Sequence, residues 1–257
     1  MIDVDAGTPE ARWSAWLDAH APPDMVWPGA HDLAGLAGGP RAAVVVVAPH
    51  PDDEVLGVGG TLRVLNDLGL PVRVVAVTDG EASHPGSQAI TPTALAAVRA
   101  QESERALAQL GLHCPVDRLG LPDGQIERHE DELAGKLGPL LDGAGLVLTT
   151  WRHDGHPDHE ASGRATAAAA AELGVPLAEY LVWTWNWAAP GDARVPWDRA
   201  RRVPLSPPVR RTKQQAVAEF RSQITALGPD PEDGPVVPAS ELAHHRRAFE
   251  VVLPWPS

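Results

Sequence analysis

A chain of 257 residues that is 44% hydrophobic can bury one substantial core, expected as a single α/β unit with a smaller appendage. Its 21 Lys plus Arg against 34 Asp plus Glu leave a formal charge of −13, which repels phosphate backbones and anionic membrane surfaces and argues against a nucleic-acid partner. Cys114 is the single cysteine, so neither a disulfide framework nor a cysteine-based zinc knuckle is expected, and any metal falls to histidines and carboxylates.

Residues 1–40 are rich in Pro, Gly and Trp, with one short amphipathic piece near 11–19, and read as an N-terminal extension ahead of a domain spanning 41–257. The acidic start "MIDVDAGTPE" is unlike the basic opening of a signal peptide, and no apolar run approaches the roughly 18 to 20 residues that cross a bilayer. A cytoplasmic protein with no stable membrane insertion is expected. Beyond residue 40, apolar runs at 42–48, 72–78, 145–151 and 176–183 have the near-continuous character of strands buried on both faces. Between them lie helical patterns at 55–68, 93–110, 130–141 and 160–173. The second of these has Thr91 as N-cap, Pro92 at its first position and Gly111 as its stop. This alternation predicts an open, mostly parallel sheet wrapped by helices. From about Ala189 the texture turns Pro-rich, with a helix near 211–227 and a last helix and strand ending in "FEVVL". Residues 189–257 are read as a smaller C-terminal portion of the same domain.

In such a sheet the ligand crevice lies at the carboxyl ends of the strands. Two His- and Asp-rich loops leave strands there: "HPDDE" after the first, and "WRHDGHPDHE", 151–160, after a later one. A catalytic zinc takes three protein ligands and leaves a fourth position for water. His50 and Asp53, with one histidine of the second loop, supply that set. Zinc lowers the pKa of its water from about 15.7 to about 7. Removing the proton still requires a base that is not itself a ligand, and Asp52 is placed for that role. In the second loop, a histidine oriented by a carboxylate would stabilise an oxyanion or protonate a leaving amine. Asp158 stands two residues from His156 and could be that partner, in which case His159 would be the third ligand; the spacing alone leaves the choice between the two histidines open.

The motifs "PHPDDE" and "RHDGHPDH" resemble those of the LmbE-like, or PIG-L, family of zinc de-N-acetylases. The resemblance covers roughly residues 44–223 and includes "RAQESERALAQLG", "LGLPDG" and "KQQAVAEFRSQ". It implies a Rossmann-like three-layer α/β/α sandwich. It further implies zinc on His50, Asp53 and His159, Asp52 as general base, His156 supported by Asp158 as electrostatic or acid partner, and Arg99 and Asp123 near the substrate. The activity implied is removal of the N-acetyl group from a small amino-sugar conjugate. An amidase for a larger acyl group and a metal-holding module with lapsed catalysis are the alternatives. Zinc is the expected metal, with another divalent first-row ion able to substitute. A homo-oligomer is compatible with the sequence.

Other features are read more plainly. "GVGG", 57–60, lacks the glycine spacing of a dinucleotide loop, since position 62 is Leu, and close helix packing accounts for it. Arg99 and Glu102 have the spacing of a surface pair. His153 and Asp154 are expected to be solvated or behind the ligands, and His84, His113, His129, His244 and His245 to lie at the surface. Trp183, Trp185 and Trp187 fall on one face of an extended segment, with packing the commoner use of such a stripe and a platform for a sugar ring the other. The loops around 83–92 and 185–197 are expected to select what the amino sugar is attached to.

Overall fold

The computed structural model describes residues 7–25 and 43–254, so residues 1–6 and 26–40 of the expected extension, and Ala42 of the first expected strand, lie outside the described residues. Elements run in the order α1 (Glu10–Ala19), β1 (Val44–Ala48), α2 (Asp53–Asp67), β2 (Val72–Ala76), α3 (Pro92–Gln109), β3 (Val116–Arg118), α4 (Glu130–Leu141), β4 (Leu146–Thr150) and α5 (Pro157–Leu173). There follow β5 (Leu177–Tyr180), α6 (Thr184–Trp187), β6 (Arg201–Pro204), α7 (Pro207–Val217), α8 (Arg221–Ile224), α9 (Ala239–His244) and β7 (Phe249–Pro254).

Every residue of β1 and β4 is buried, which requires helices on both sides of the sheet. Alternation along β1 divides them. Val44 and Val46, with Val72, Val74, Leu146 and Leu148, pack on α2 and α3. Val45 and Val47, with Val75 and Val147, pack on Leu133, Leu137 and Leu141 of α4 and the alanine face of α5. The result is a Rossmann-like three-layer sandwich whose strand order is β3-β2-β1-β4-β5-β7-β6. The first five strands named pair parallel; β7 pairs antiparallel to β5 and to β6. The expected caps of α3 are present, with Thr91 Oγ1 accepting from Ala94 N and Gly111 at φ +73°. No helix of the described residues is long and apolar enough to cross a membrane.

Three local expectations change. The helix near 211–227 is two helices, α7 and α8, because Phe220 turns into the core between them. β3 and β6 went unread because neither is a buried apolar run. The tryptophan segment is helical at α6, so its three rings do not share a face. Trp185 packs edge-on against the fully buried Trp13 of α1, whose Nε1 donates to the Trp185 carbonyl at 2.7 Å. Glu10 of the same helix pairs with His244 and Arg247, so α1 is tied into the C-terminal portion.

Candidate metal centre and active site

Strand order reverses direction between β1 and β4, and the two His- and Asp-rich loops leave the carboxyl ends of these two strands. His50 stands two residues past β1, Asp53 opens α2, and His159 lies in the first turn of α5. Their side chains converge. His50 Nδ1 and His159 Nε2 are each 3.2 Å from Asp53 Oδ2 and 3.3 Å from one another. Ligand atoms about 2.0–2.1 Å from a tetrahedral ion stand about 3.3 Å apart. These three buried atoms therefore outline one face of such a tetrahedron, and the donor set fits a divalent metal.

Each of the two histidines turns its other ring nitrogen to a carboxylate, which fixes tautomer and orientation. His159 Nδ1 meets Asp154 Oδ2 at 2.8 Å; His50 Nε2 meets Asp123 Oδ1 at 3.2 Å and Asp158 Oδ2 at 3.3 Å. The field here favours positive charge. Against the downward push of burial, Asp53 and Asp154 raise His159 to about 9, and Asp123, Asp158 and Asp53 raise His50 well above its ordinary value. Burial would lift the Asp53 carboxyl, but His159 and His50 hold it well below the usual carboxylate range.

Asp154 was expected to be solvated or behind the ligands; it is fully buried and its carboxylate is saturated. Besides His159, it accepts from the backbone N–H of Val182, Trp183 and Thr184 and from Thr184 Oγ1. It thus joins the second loop to the start of α6, while His153 beside it is exposed. Asp154→Asn keeps the size but weakens the bond that orients His159. Metal affinity is expected to fall by about 10- to 100-fold, read by chelator competition, with the fold unchanged by circular dichroism. Unchanged affinity would show that His159 is held without it.

Asp52, the N-cap of α2, makes no capping bond with its side chain. It is the one non-glycine residue at positive φ, 147°, among the described residues, a strained conformation held by its surroundings. Its N–H donates to Glu54 Oε2 at 3.2 Å, and its carboxylate accepts from Arg99 Nη2 at 3.2 Å. Burial pushes the Asp52 carboxyl up to about 7 against the pull of Arg99. A carboxyl at that value suits a proton acceptor at neutral pH.

Arg99, expected near the substrate, is 2% exposed. It is buried behind Asp52, where it also donates to the carbonyls of Gly80 and Pro51, each at 3.0 Å, and a Cβ at Gly80 would lie 2.1 Å from its guanidinium. Its expected surface partner Glu102 is likewise buried, accepting from Ser222 N and Oγ. Asp123 is positioned by Ala82 N, at 2.7 Å, and addresses His50.

His156 also departs from expectation. Its Nδ1 accepts from the backbone N–H of Asp158 at 3.2 Å, so it caps α5, while the Asp158 carboxylate turns away to His50 and to the N–H groups of Gly124 and Ile126. Burial, then the charges of His159 and His50, push His156 down to about 3. It is a neutral imidazole with its proton on Nε2, 4.8 Å between ring centroids from His159 and 5.0 Å from His50. His84, His244 and His245 are buried, not at the surface. His84 bonds Ser83 and Gly234, His244 pairs with Glu10, and His245 bonds the Leu56 carbonyl.

Residues 45–170 match the PIG-L family, described as GlcNAc-PI de-N-acetylase. A probable N-acetyl-alpha-D-glucosaminyl L-malate deacetylase 2 of Bacillus cereus is 31% identical over 136 residues, 51% of this chain and 61% of that protein. A 1D-myo-inositol 2-acetamido-2-deoxy-alpha-D-glucopyranoside deacetylase of Mycobacterium sp. is 33% identical over 170 residues, 56% of this chain and 53% of that one. Among solved structures, a complex of a deacetylase in the biosynthesis pathway of teicoplanin aligns with a TM-score of 0.61 at 25% identity, covering 83% of this chain and 97% of that one. The chain spans 61% and 53% of the length of the two curated relatives described here.

Proposed function

We propose, on the match of residues 45–170 to the PIG-L family, that the protein is a member of that family and a zinc-dependent hydrolase removing the N-acetyl group from a small N-acetylglucosamine-type conjugate. The observation that carries this reading is the triangle of His50 Nδ1, Asp53 Oδ2 and His159 Nε2 beside Asp52, a buried carboxylate left over after the ligands are counted. A divalent metal held there supplies Lewis acidity, polarising the acetamide carbonyl and acidifying a water.

The remaining chemistry belongs to the chain. Asp52 accepts a proton from the water whose oxygen adds to the acetamide carbon. The carbon–nitrogen bond then breaks, the proton passes to the departing nitrogen, and acetate and a free amine leave. His156, neutral and fixed by its bond from Asp158 N, presents Nε2–H as a hydrogen-bond donor to the developing oxyanion. Of the two roles expected for it, electrostatic or acid, this favours the electrostatic one, which leaves Asp52 to carry the proton both ways. His156→Ala is expected to lower turnover by about 10² to 10³ with metal content nearly intact. Metal loss equal to that of a His159 variant would make it a ligand instead.

The test of the function is a panel of soluble N-acetylglucosaminides incubated with zinc-loaded protein and read for both acetate and free amine. Equal yields of the two on at least one member support the reading. Amine from companion glucosaminides bearing longer N-acyl chains, with no acetate from the N-acetyl members, would move the activity to larger amides, and no amine from either set would overturn it.

A further inference from the structure

We propose that Lys213 and Glu250, a buried ion pair supplied by the C-terminal portion, are positioning residues that aim the metal-binding turn of α2. The inference rests on the metal-site reading above. Helix α2 breaks at Val58, whose φ of −137° and ψ of 15° are not helical. In an unbroken helix Gly60 N–H would donate to the Leu56 carbonyl and Thr61 N–H to that of Gly57. Here Glu250 Oε1 accepts from Gly60 N at 2.8 Å, and Oε2 accepts from Thr61 N at 2.7 Å and Thr61 Oγ1 at 2.6 Å. The Leu56 carbonyl accepts from Lys213 Nζ at 2.7 Å, with His245 Nδ1 at 3.1 Å. Lys213 Nζ and Glu250 Oε1 stand 2.6 Å apart. One end of the pair thus grips the helix before the break and the other grips it after.

Stability alone does not call for this arrangement. A straight helix would satisfy the same backbone groups without burying charge, and buried ion pairs are costly to desolvate. The glycines point the same way. A Cβ at Gly57 would lie 2.2 Å from the Tyr180 ring, and one at Gly60 would lie 2.6 Å from the Leu205 methyls, so both sides of the break are pressed closely onto neighbours. The piece ahead of the break, Asp53 to Gly57, is little more than one turn, too short to hold a direction by its own hydrogen bonds. Its direction is set by what grips it: Lys213 and His245 at Leu56, and the Tyr180 ring at Gly57. That turn opens with Asp53 and is capped by Asp52. Any swing of it moves the Asp53 carboxylate off His50 and His159.

The experiment compares wild type, Lys213→Met and Glu250→Gln for zinc affinity in chelator competition and for melting temperature with and without metal. Met keeps the bulk but loses the donor to Leu56; Gln keeps the shape and loses the charge. Aimed ligands predict a zinc dissociation constant raised at least tenfold in Lys213→Met and to a smaller extent in Glu250→Gln, with circular dichroism unchanged. A lower melting temperature with unaltered zinc affinity would make the pair purely structural and overturn the proposal. Should either variant fail to fold, amide exchange in the wild-type protein decides: zinc must slow exchange at Gly60 and Thr61 at least tenfold, and unchanged exchange overturns the coupling. A wild type that binds zinc stoichiometrically yet hydrolyses nothing would sink the hydrolase reading while leaving these outcomes readable.

Discussion

Asp53→Ala is expected to release zinc at chelator concentrations that leave the wild-type protein fully loaded, and to lose activity with it. In the metal site proposed above the residue would supply one of three protein ligand atoms, and that site reduced to two histidines would have lost its only anionic member. The carboxylate has further tasks. Its Oδ2 also accepts from His50 N at 3.0 Å, which ties the loop after β1 to the first turn of α2. Alanine therefore removes a ligand and loosens the residue that carries another. Elemental analysis after dialysis against a weak chelator, set beside circular dichroism to establish that the fold persists, reads the effect directly. An Asp53→Ala protein that keeps one metal per chain and normal turnover would refute the site. Added zinc in excess should recover only part of the activity, since the remaining histidines bind without the carboxylate that aligned them.

The convergence of His50, Asp53 and His159 was legible in the sequence because the clusters are local, with His159 chosen over His156 partly on the family resemblance. His50 and Asp53 are three residues apart, His156 and His159 likewise, and both clusters follow apolar runs that could only be buried strands. The parallel order of the sheet then brings the two loops together at one crevice. What orients the site was not legible, for the converse reason. Arg99 reaches Asp52 across 47 positions, and Asp154 bonds backbone groups 28 to 30 positions on. Lys213 and Leu56 are 157 apart. No periodicity or spacing encodes such pairs. Asp154 carried one usable signal, an aspartate five residues before a ligand histidine in a loop that must fold back onto its own helix. The alternating tryptophans suggest an extended segment, but the alternation does not decide the backbone there. Asp154 instead captures three successive N–H groups there, which turns the chain into α6.

The same distinction bears on Asp52, which composition makes look interchangeable with its neighbour. Asp52→Asn is expected to retain zinc at wild-type stoichiometry while lowering kcat by about 10² to 10⁴. Asparagine is the cleaner substitution than alanine. The backbone at this position holds φ at 147°, and asparagine keeps the size and shape of the side chain that already occupies it, so alanine would confound lost chemistry with lost packing and hydrogen bonding. The amide oxygen can still accept from Arg99, which keeps the buried guanidinium partnered. What the amide cannot do is take a proton from the attacking water. That interaction strengthens mainly in the transition state, so the defect should fall on kcat with KM little changed. Paired measurements of metal content and turnover on Asp52→Asn and Asp53→Ala decide the assignment. If the Asp52 variant is metal-free while the Asp53 variant keeps both zinc and activity, the two roles are exchanged; if the Asp52 variant turns over at the wild-type rate, the base lies elsewhere, and Glu54, buried beneath it and pushed up to about 7 by that burial, is the next carboxylate to test.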